Sequence, residues 1–166
     1  MQLHAASLHA ELAGRPFVLT GLSSGGLVAH MLARYLCDQG TPPAGVVVLD
    51  TYVPSEYRRI VRLLPGLGEQ LQHRMDDPDH AIPDNNGWVT AMAHYRHFDW
   101  TPCELPIPVL FVRADTPLEG WPPDWEPSWP FKHTAAVARG DHFTMLEKDA
   151  PHTAALIRDW IQATFG

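Results

Sequence analysis

The sequence predicts an α/β fold built on a parallel sheet. Short apolar runs alternate along the chain with stretches of helical periodicity; the runs occupy residues 17–19, 46–49, 109–112 and, more weakly, 134–138. Each run is apolar throughout instead of alternating with polar residues, which is typical of parallel strands buried on both faces. Near Gly21 a strand pattern changes sharply to a helix pattern, as expected of a strand that is followed by a turn and a helix.

Three segments have the spacing of amphipathic helices. The chain opens with a predicted helix that ends at Gly14, and a second helical pattern begins at Leu27 and continues to Gly40. A final helix is predicted from Pro151 to Phe165. The first helix is predicted from the spacing of Leu3, Ala6, Leu8 and Leu12, and the positions expected to face inward in the last helix are Ala155, Leu156, Trp160 and Ile161.

The segment between the second and third predicted strands, residues 51–108, is too long for a simple crossover. It contains a helical patch at 57–64 and a polar stretch at 76–86. We interpret it as a helical lid above the carboxyl ends of the strands, where open α/β sheets bind their ligands. His94 and His97 lie three residues apart in this segment, but no third ligand accompanies them, so no metal is predicted.

Composition excludes several classes of partner. The chain has 166 residues and a net charge of −7, and its 12 Lys and Arg form no basic run, so neither nucleic acid nor a membrane surface is an expected partner. Cys37 and Cys103 stand in apolar settings, as expected of thiols in a reducing compartment. The first 14 residues do not have the pattern of a secretory signal. The predicted location is the cytoplasm.

Residues 21–25 match the pattern GxSxG, with Ser23 at its centre. The pattern lies between a predicted strand and a predicted helix, which is the context in which it places a strained serine above a sheet. A tight turn of this kind needs glycines, because bulkier neighbours collide with the backbone. Ser23 is therefore the predicted nucleophile, and the backbone N–H of Ser24 is a predicted oxyanion donor.

A serine nucleophile needs a general base and a carboxylate that orients the base. His142 follows the last predicted strand and precedes the last helix, in the chain order serine, acid, histidine. Two carboxylates stand at strand ends, Asp50 after residues 46–49 and Asp115 after residues 109–113. Their positions alone do not separate them.

The chain resembles the thioesterase domains that end modular polyketide synthases, which are α/β hydrolases. The resemblance is carried by residues 21–26, 45–54 and 120–145, covers nearly the whole chain and is weaker across the lid. It implies that Asp50 is the acid, because the family takes this residue from the strand directly after the nucleophile's helix. It also implies that Tyr52 lines the acyl channel or contacts the substrate, and the alternative is a core aromatic residue with a bonded hydroxyl. Leu22 departs from the family, which usually has histidine there.

The resemblance implies a reaction. Ser23 would attack the thioester that joins a polyketide to the phosphopantetheine arm of an acyl carrier protein, and the acyl-serine would then be opened by a hydroxyl of the chain or by water. No metal or organic cofactor is implied. Two alternatives are a free-standing editing thioesterase or esterase, which usually takes its acid from the later strand, and a non-catalytic remnant that binds a carrier protein or a partner chain.

Only 22 residues precede Ser23, and they accommodate one helix and one strand. A second oxyanion donor normally comes from a loop after an earlier strand. We therefore expect this chain to be the carboxy-terminal part of a longer thioesterase domain. Alone, it is expected to be insoluble or to form a homodimer through the apolar edge of its first strand, which the missing amino-terminal segment would cover in the longer protein.

The segment at 121–131 is rich in tryptophan and proline. Such segments are usually packed loops, so the sequence assigns it no chemical role.

Overall fold

A computed structural model describes residues 1–76 and 100–166. Four strands form one sheet in chain order, and every neighbouring pair is parallel. The predicted α/β class is confirmed. The strands are β1 (Val18–Leu22), β2 (Gly45–Leu49), β3 (Val109–Ala114) and β4 (Thr134–Ala138). Their register places Thr20 beside Val47, Val48 beside Phe111, and Val112 beside Ala136.

The described helices are α1 (Gln2–Leu12), α2 (Ser24–Asp38), α3 (Tyr57–Asp76) and α4 (Ala150–Phe165). Short 3₁₀ turns cover Pro54–Glu56 and Thr144–Leu146. Helix α2 begins three residues before the predicted start at Leu27, because Gly25 and Gly26 have no apolar side chain to reveal the periodicity. Within the described residues, no helix combines the length and apolarity needed to cross a bilayer.

The apolar spacing that predicted α1 does not mark a buried face at Leu3. This side chain is 83% exposed, and Ala5 is the buried residue of the helix instead. Ala5 packs with Leu32 and Leu36 of α2, and Leu8 lies against the same cluster. The contact of α1 with α2 is narrow, so most of this helix is exposed.

The core lies on both faces of the two central strands. Every residue of β2 is buried, whereas β1 is half-buried along most of its length and β4 is largely exposed. The expectation of burial on both faces therefore holds for the central strands only, because β1 and β4 lie at the two edges of the described sheet. Alternate residues of the central strands point to two apolar clusters. One cluster includes Val47, Val112, Leu63 of α3 and Trp160 of α4, and the other includes Val46, Phe111, Ala29 of α2 and Trp129.

The lid interpretation can be compared with the structure only in part. The helical patch predicted at 57–64 is the beginning of α3, which continues through Pro65 to Asp76. Residues 77–99, which include most of the polar stretch together with His94 and His97, lie outside the described residues. Cys37 and Cys103 are unbridged and half-buried.

His30 on α2 is a buried histidine away from the sheet's carboxyl edge. Its imidazole is 1% exposed, its Nε2 accepts the Cys103 backbone N–H at 3.2 Å, and the ring of Trp129 packs edge-on at 5.1 Å. Burial, helped by the positive charge of Arg34, lowers the pKa of His30 to about 4. The folded protein therefore holds this side chain neutral, with its remaining ring N–H buried.

Acidification is expected to destabilise the fold through His30. Between pH 6.5, the ordinary pKa of histidine, and pH 4 the unfolded chain binds a proton that the folded chain refuses. The free energy of unfolding should lose about 3 kcal/mol across this range from His30 alone. Urea unfolding at pH 7 and pH 4.5 measures the loss, and His30→Gln provides the matched non-titrating chain. Equal losses in both proteins would contradict the assignment.

Candidate active site

Ser23 stands on the turn between β1 and α2 with a strained backbone. Its φ is 56° and its ψ is −126°, a region that side-chain-bearing residues rarely adopt and that costs on the order of 1–3 kcal/mol. The turn is held in place by hydrogen bonds. The Ser23 N–H donates to Leu49 O of β2 at 2.9 Å, and the Gly26 N–H donates to Ser23 O at 3.0 Å. The GxSxG pattern therefore forms the expected strand–turn–helix.

Two glycines make this turn possible. A Cβ on Gly21 would lie 2.1 Å from Gly25 O, and a Cβ on Gly26 would lie 2.1 Å from Thr51 Oγ1. A Cβ on Gly25, the second glycine of the motif, would have no neighbouring atom within 4 Å among the described residues. The close approach that the motif predicted at Gly25 occurs at Gly26 instead, because the side chain of Thr51 lies there.

Asp50 directly follows β2 and is completely buried. Its φ of 38° is also in the left-handed region, which turns the carboxylate toward the end of β3. Oδ1 accepts the Ala114 N–H at 3.0 Å, and Oδ2 lies 2.7 Å from Nδ1 of His142. A buried carboxylate with a hydrogen bond to each oxygen is held in one orientation.

His142 is placed by a compact turn after β4. Gly140 has a φ of 92°, and the Asp141 Oδ1 accepts the N–H groups of Phe143 and Thr144, each at 2.9 Å. The Asp141 N–H in turn donates to Thr144 Oγ1 at 2.8 Å. These reciprocal bonds fix the chain on both sides of His142. With Nδ1 donating to Asp50, Nε2 is left as the hydrogen-bond acceptor of the ring.

Asp115 has a different role in the structure. It is exposed, and its Oδ1 accepts the Gly140 N–H at 3.0 Å and the Thr116 hydroxyl at 2.7 Å. Its backbone N–H donates to Gly140 O at 3.2 Å. Asp115 therefore ties the end of β3 to the turn that precedes His142, while the carboxylate that contacts the imidazole is that of Asp50.

Ser23 and His142 line one cavity of about 350 Å³. Most of its wall is apolar, and α3 contributes a stripe at helical spacing. The lining residues are Ser23, Ser24, Leu27, Tyr52, Ile60, Leu63, Leu64, Leu67, Trp121 and His142. The arrangement combines a strained serine, a buried histidine–carboxylate pair and an apolar cavity, which suits acyl transfer to serine.

Comparison with known proteins is consistent with this chemistry. The family model for the thioesterase domain matches residues 1–161. The chain belongs to the thioesterase domain family. It is 42% identical over 150 residues to polyketide synthase GfsE of Streptomyces halstedii, and 37% identical over 150 residues to erythronolide synthase EryA3 of Saccharopolyspora erythraea. The alignments cover 88% and 89% of this chain but only 4% and 5% of those synthases.

Solved structures show that the fold is that of a thioesterase domain. The NocB thioesterase domain from the nocardicin cluster superposes with a TM-score of 0.63 at 18% sequence identity, covering 95% of this chain and 70% of that one. The resemblance read from the sequence is therefore confirmed at the level of family and of α/β hydrolase fold.

Ser24 and Tyr52 both line the cavity of this thioesterase domain. Ser24 is the first residue of α2, where backbone N–H groups lack helical partners and the helix dipole favours negative charge. The Tyr52 hydroxyl donates to the Trp125 carbonyl, and burial, with the nearby charges of Asp50 and Glu56, raises the pKa of Tyr52. Tyr52 therefore offers a ring to the cavity, while its hydroxyl is already bound.

Sequence reasoning missed Trp121. Trp125 and Trp129 are buried, as expected of a packed loop, but Trp121 lines the cavity with its ring 6.1 Å from that of His142. It also packs edge-on against Tyr52 at 6.3 Å. No feature of the sequence separates Trp121 from the other two tryptophans, because all three alternate with prolines and acidic residues.

Thr51 was also missed, although it directly follows the predicted acid. It is fully buried, and its Oγ1 lies 2.9 Å from Ser23 O and 2.8 Å from Leu49 O. The one hydroxyl proton is therefore shared between a carbonyl of the turn that carries Ser23 and the β2 carbonyl that accepts the Ser23 N–H. Across residues 1–76 and 100–166, no three histidine, cysteine or acidic side chains are grouped to hold a metal.

Gly66 of α3 sets the distance between this helix and Trp121. A Cβ on Gly66 would lie 3.1 Å from both Cδ1 and Nε1 of the indole, whereas Gly68 has no atom within 4 Å among the described residues. Gly68→Ala should therefore stabilise the fold by about 0.5–1 kcal/mol through helix propensity. Gly66→Ala should lose this gain and raise the apparent KM for an acyl thioester several-fold, because Trp121 must move. Chemical denaturation and steady-state kinetics on the two variants check this, and indistinguishable variants would contradict it.

Proposed function

We propose that this thioesterase domain releases a polyketide acyl chain from the thioester of an acyl carrier protein through an acyl-Ser23 intermediate. The supporting observation is the 2.7 Å contact between His142 Nδ1 and Asp50 Oδ2, next to a strained Ser23 in one apolar cavity. The relatives GfsE and EryA3 are polyketide synthases, which supports a polyketide as the acyl group and a carrier protein as the partner.

In the acylation step, Asp50 holds His142 so that Nε2 accepts the Ser23 hydroxyl proton. Ser23 Oγ then attacks the thioester carbonyl carbon, and the backbone N–H of Ser24 donates to the resulting oxyanion. Collapse of this intermediate breaks the C–S bond. His142 returns the proton to the departing sulfur, so the phosphopantetheine arm leaves as a free thiol and the acyl group remains on Ser23.

In the release step, a hydroxyl of the bound chain gives a macrolactone and water gives a free acid. His142 deprotonates the attacking oxygen and then protonates Ser23 Oγ as the ester breaks. The cavity wall supports the intramolecular route. Apart from Ser23, Ser24 and His142, the polar groups of its described lining residues are the Tyr52 hydroxyl, which is bound to Trp125, and the indole N–H of Trp121, which can donate but not accept a hydrogen bond, so few groups are available to hold an attacking water.

A short thioester mimic of the carrier arm tests the proposal. The chain is incubated with an ω-hydroxyacyl N-acetylcysteamine thioester, free thiol is titrated, and products are separated by mass. Thiol release with more lactone than acid is expected, and the analogue without the hydroxyl should give acid alone. Acid as the only product from the hydroxyacyl substrate would exclude cyclisation. Thiol release no faster than buffer alone would contradict the proposed function.

A further inference from the structure

Arg74, near the carboxyl end of α3, forms a bidentate ion pair with Glu147, in the segment that follows His142. Its Nε lies 2.6 Å from Glu147 Oε1 and its Nη2 lies 3.1 Å from Glu147 Oε2. Planar guanidinium–carboxylate pairs of this kind are the strongest and most directional ion pairs. The two side chains are 16% and 27% exposed, so water screens this pair less than an ordinary surface pair.

The rest of the guanidinium is held as well. Nη1 donates to Gln70 O at 3.2 Å and to Gln70 Oε1 at 3.1 Å, one turn earlier on the same helix. The guanidinium carbon lies 4.0 Å from the centroid of the Phe143 ring, a cation–π contact. Arg74 is therefore fixed to α3 on one side and to Phe143 and Glu147 on the other.

Both of these contacts bear on His142. Phe143 is its chain neighbour, and the two rings pack edge-to-face with centroids 5.2 Å apart. Glu147 closes the short turn Thr144–Leu146, its N–H donating to Thr144 O at 3.1 Å. Arg74 thus contacts both ends of the turn that directly follows His142.

A second ion pair of α3 provides a contrast. Arg62 Nη2 lies 2.6 Å from Asp124 Oδ2, but the two side chains are 53% and 52% exposed. This pair ties α3 to the loop that carries Trp121 and makes no contact with the His142 turn. Arg62 therefore forms an arginine–carboxylate ion pair on the same helix, but this pair is not linked to the His142 imidazole.

We propose that Arg74 is a positioning residue for the histidine base, so that the seating of α3 against the Phe143–Glu147 turn sets the orientation of the His142 imidazole. The proposal rests on the proposed function, in which His142 accepts the proton of Ser23. On this proposal the acylation rate depends on the position of α3 as well as on the apolar side chains with which this helix lines the cavity. A substrate that displaces the end of α3 would therefore also change the orientation of the His142 imidazole.

The test compares Arg74→Lys with Arg62→Lys, two charge-conserving changes on one helix. Arg74→Lys loses the two-pronged contact and the planar stacking, so we expect the single-turnover acylation rate at saturating acetyl thioester to fall about 10- to 100-fold, with little change in half-saturation. Arg62→Lys should acylate at the wild-type rate. The reversed pair Arg74→Glu with Glu147→Arg should recover part of the loss that Arg74→Glu alone causes.

A proton NMR readout separates positioning from general stability. The His142 Nδ1 proton, in its hydrogen bond to Asp50, gives a far-downfield resonance that should shift or broaden in Arg74→Lys and stay in place in Arg62→Lys. Unchanged acylation and an unchanged resonance in Arg74→Lys would overturn the inference, as would equal losses in both lysine variants. Failure of the wild-type chain to acylate would count against the proposed function, and the resonance would still decide whether Arg74 orients His142.

Discussion

Replacing Ser23 by alanine is expected to eliminate the covalent acyl-enzyme. The wild-type chain, incubated with a simple acyl thioester, should gain the mass of one acyl group, and Ser23→Ala should gain none. No other hydroxyl combines the strained backbone with a place beside His142 within the described residues. Turnover should fall by a factor on the order of 10⁶, the size of effect seen when a triad nucleophile is removed. Intact-mass spectrometry detects a single acylation and does not depend on fast turnover.

The neighbouring serine provides the matched control. Ser24 also lines the cavity, but its proposed contribution is a backbone N–H that alanine retains. Ser24→Ala should therefore form the adduct at close to the wild-type rate. An adduct on Ser23→Ala, or loss of the adduct in Ser24→Ala, would contradict the assignment of Ser23 as the nucleophile.

Replacing Asp50 by asparagine is expected to slow acylation by about 10⁴-fold. The side chain has nearly the same shape, so one oxygen can still accept the Ala114 N–H. The amide no longer offers a charged acceptor to His142 Nδ1, which lies 2.7 Å from Oδ2 in the present structure. The imidazole then loses the tautomer that leaves Nε2 free to take the serine proton. Single-turnover acylation rates, measured on variants whose folding is verified by circular dichroism, give the effect.

Asp115→Asn distinguishes this assignment from the alternative acid. Asp115 is exposed and binds the Gly140 N–H and the Thr116 hydroxyl, so its replacement should change acylation only a few-fold through the turn that it braces. If Asp115→Asn abolished acylation and Asp50→Asn did not, the acid would come from the later strand. That result would favour the editing thioesterase or esterase alternative.

Much of the fold followed from local pattern. The apolar run at 46–49 predicted a strand buried on both faces, and β2 is buried at every residue. The run at 17–19 followed by the GxSxG pattern predicted the strand, turn and helix around Ser23, because few other sequences tolerate so tight a turn. The position of His142 between the last strand and the last helix placed it at the same edge of the sheet.

Other features depended on contacts between distant parts of the chain. The spacing of Leu3 and its neighbours predicted a helix, but it did not predict that α1 meets only a narrow part of α2 and that Leu3 remains exposed. The glycine at position 26 is required by Thr51, which lies 25 residues later in the chain. Spacing within one segment contains no information about which residues of another segment approach it.

The sequence by itself determined the parallel sheet, the strained turn at Ser23 and the strand ends from which the candidate acids and base emerge, because each follows from periodicity or local sterics. Position in the sequence left Asp50 and Asp115 open and the family resemblance favoured Asp50, but only the tertiary structure places Asp50, and not Asp115, against His142. Only the tertiary structure, too, turns Trp121 into the cavity while Trp125 and Trp129 are buried. The reason is physical. Residues at neighbouring strand ends share an edge of the sheet, but the direction in which each side chain points depends on backbone angles and packing partners far away in sequence.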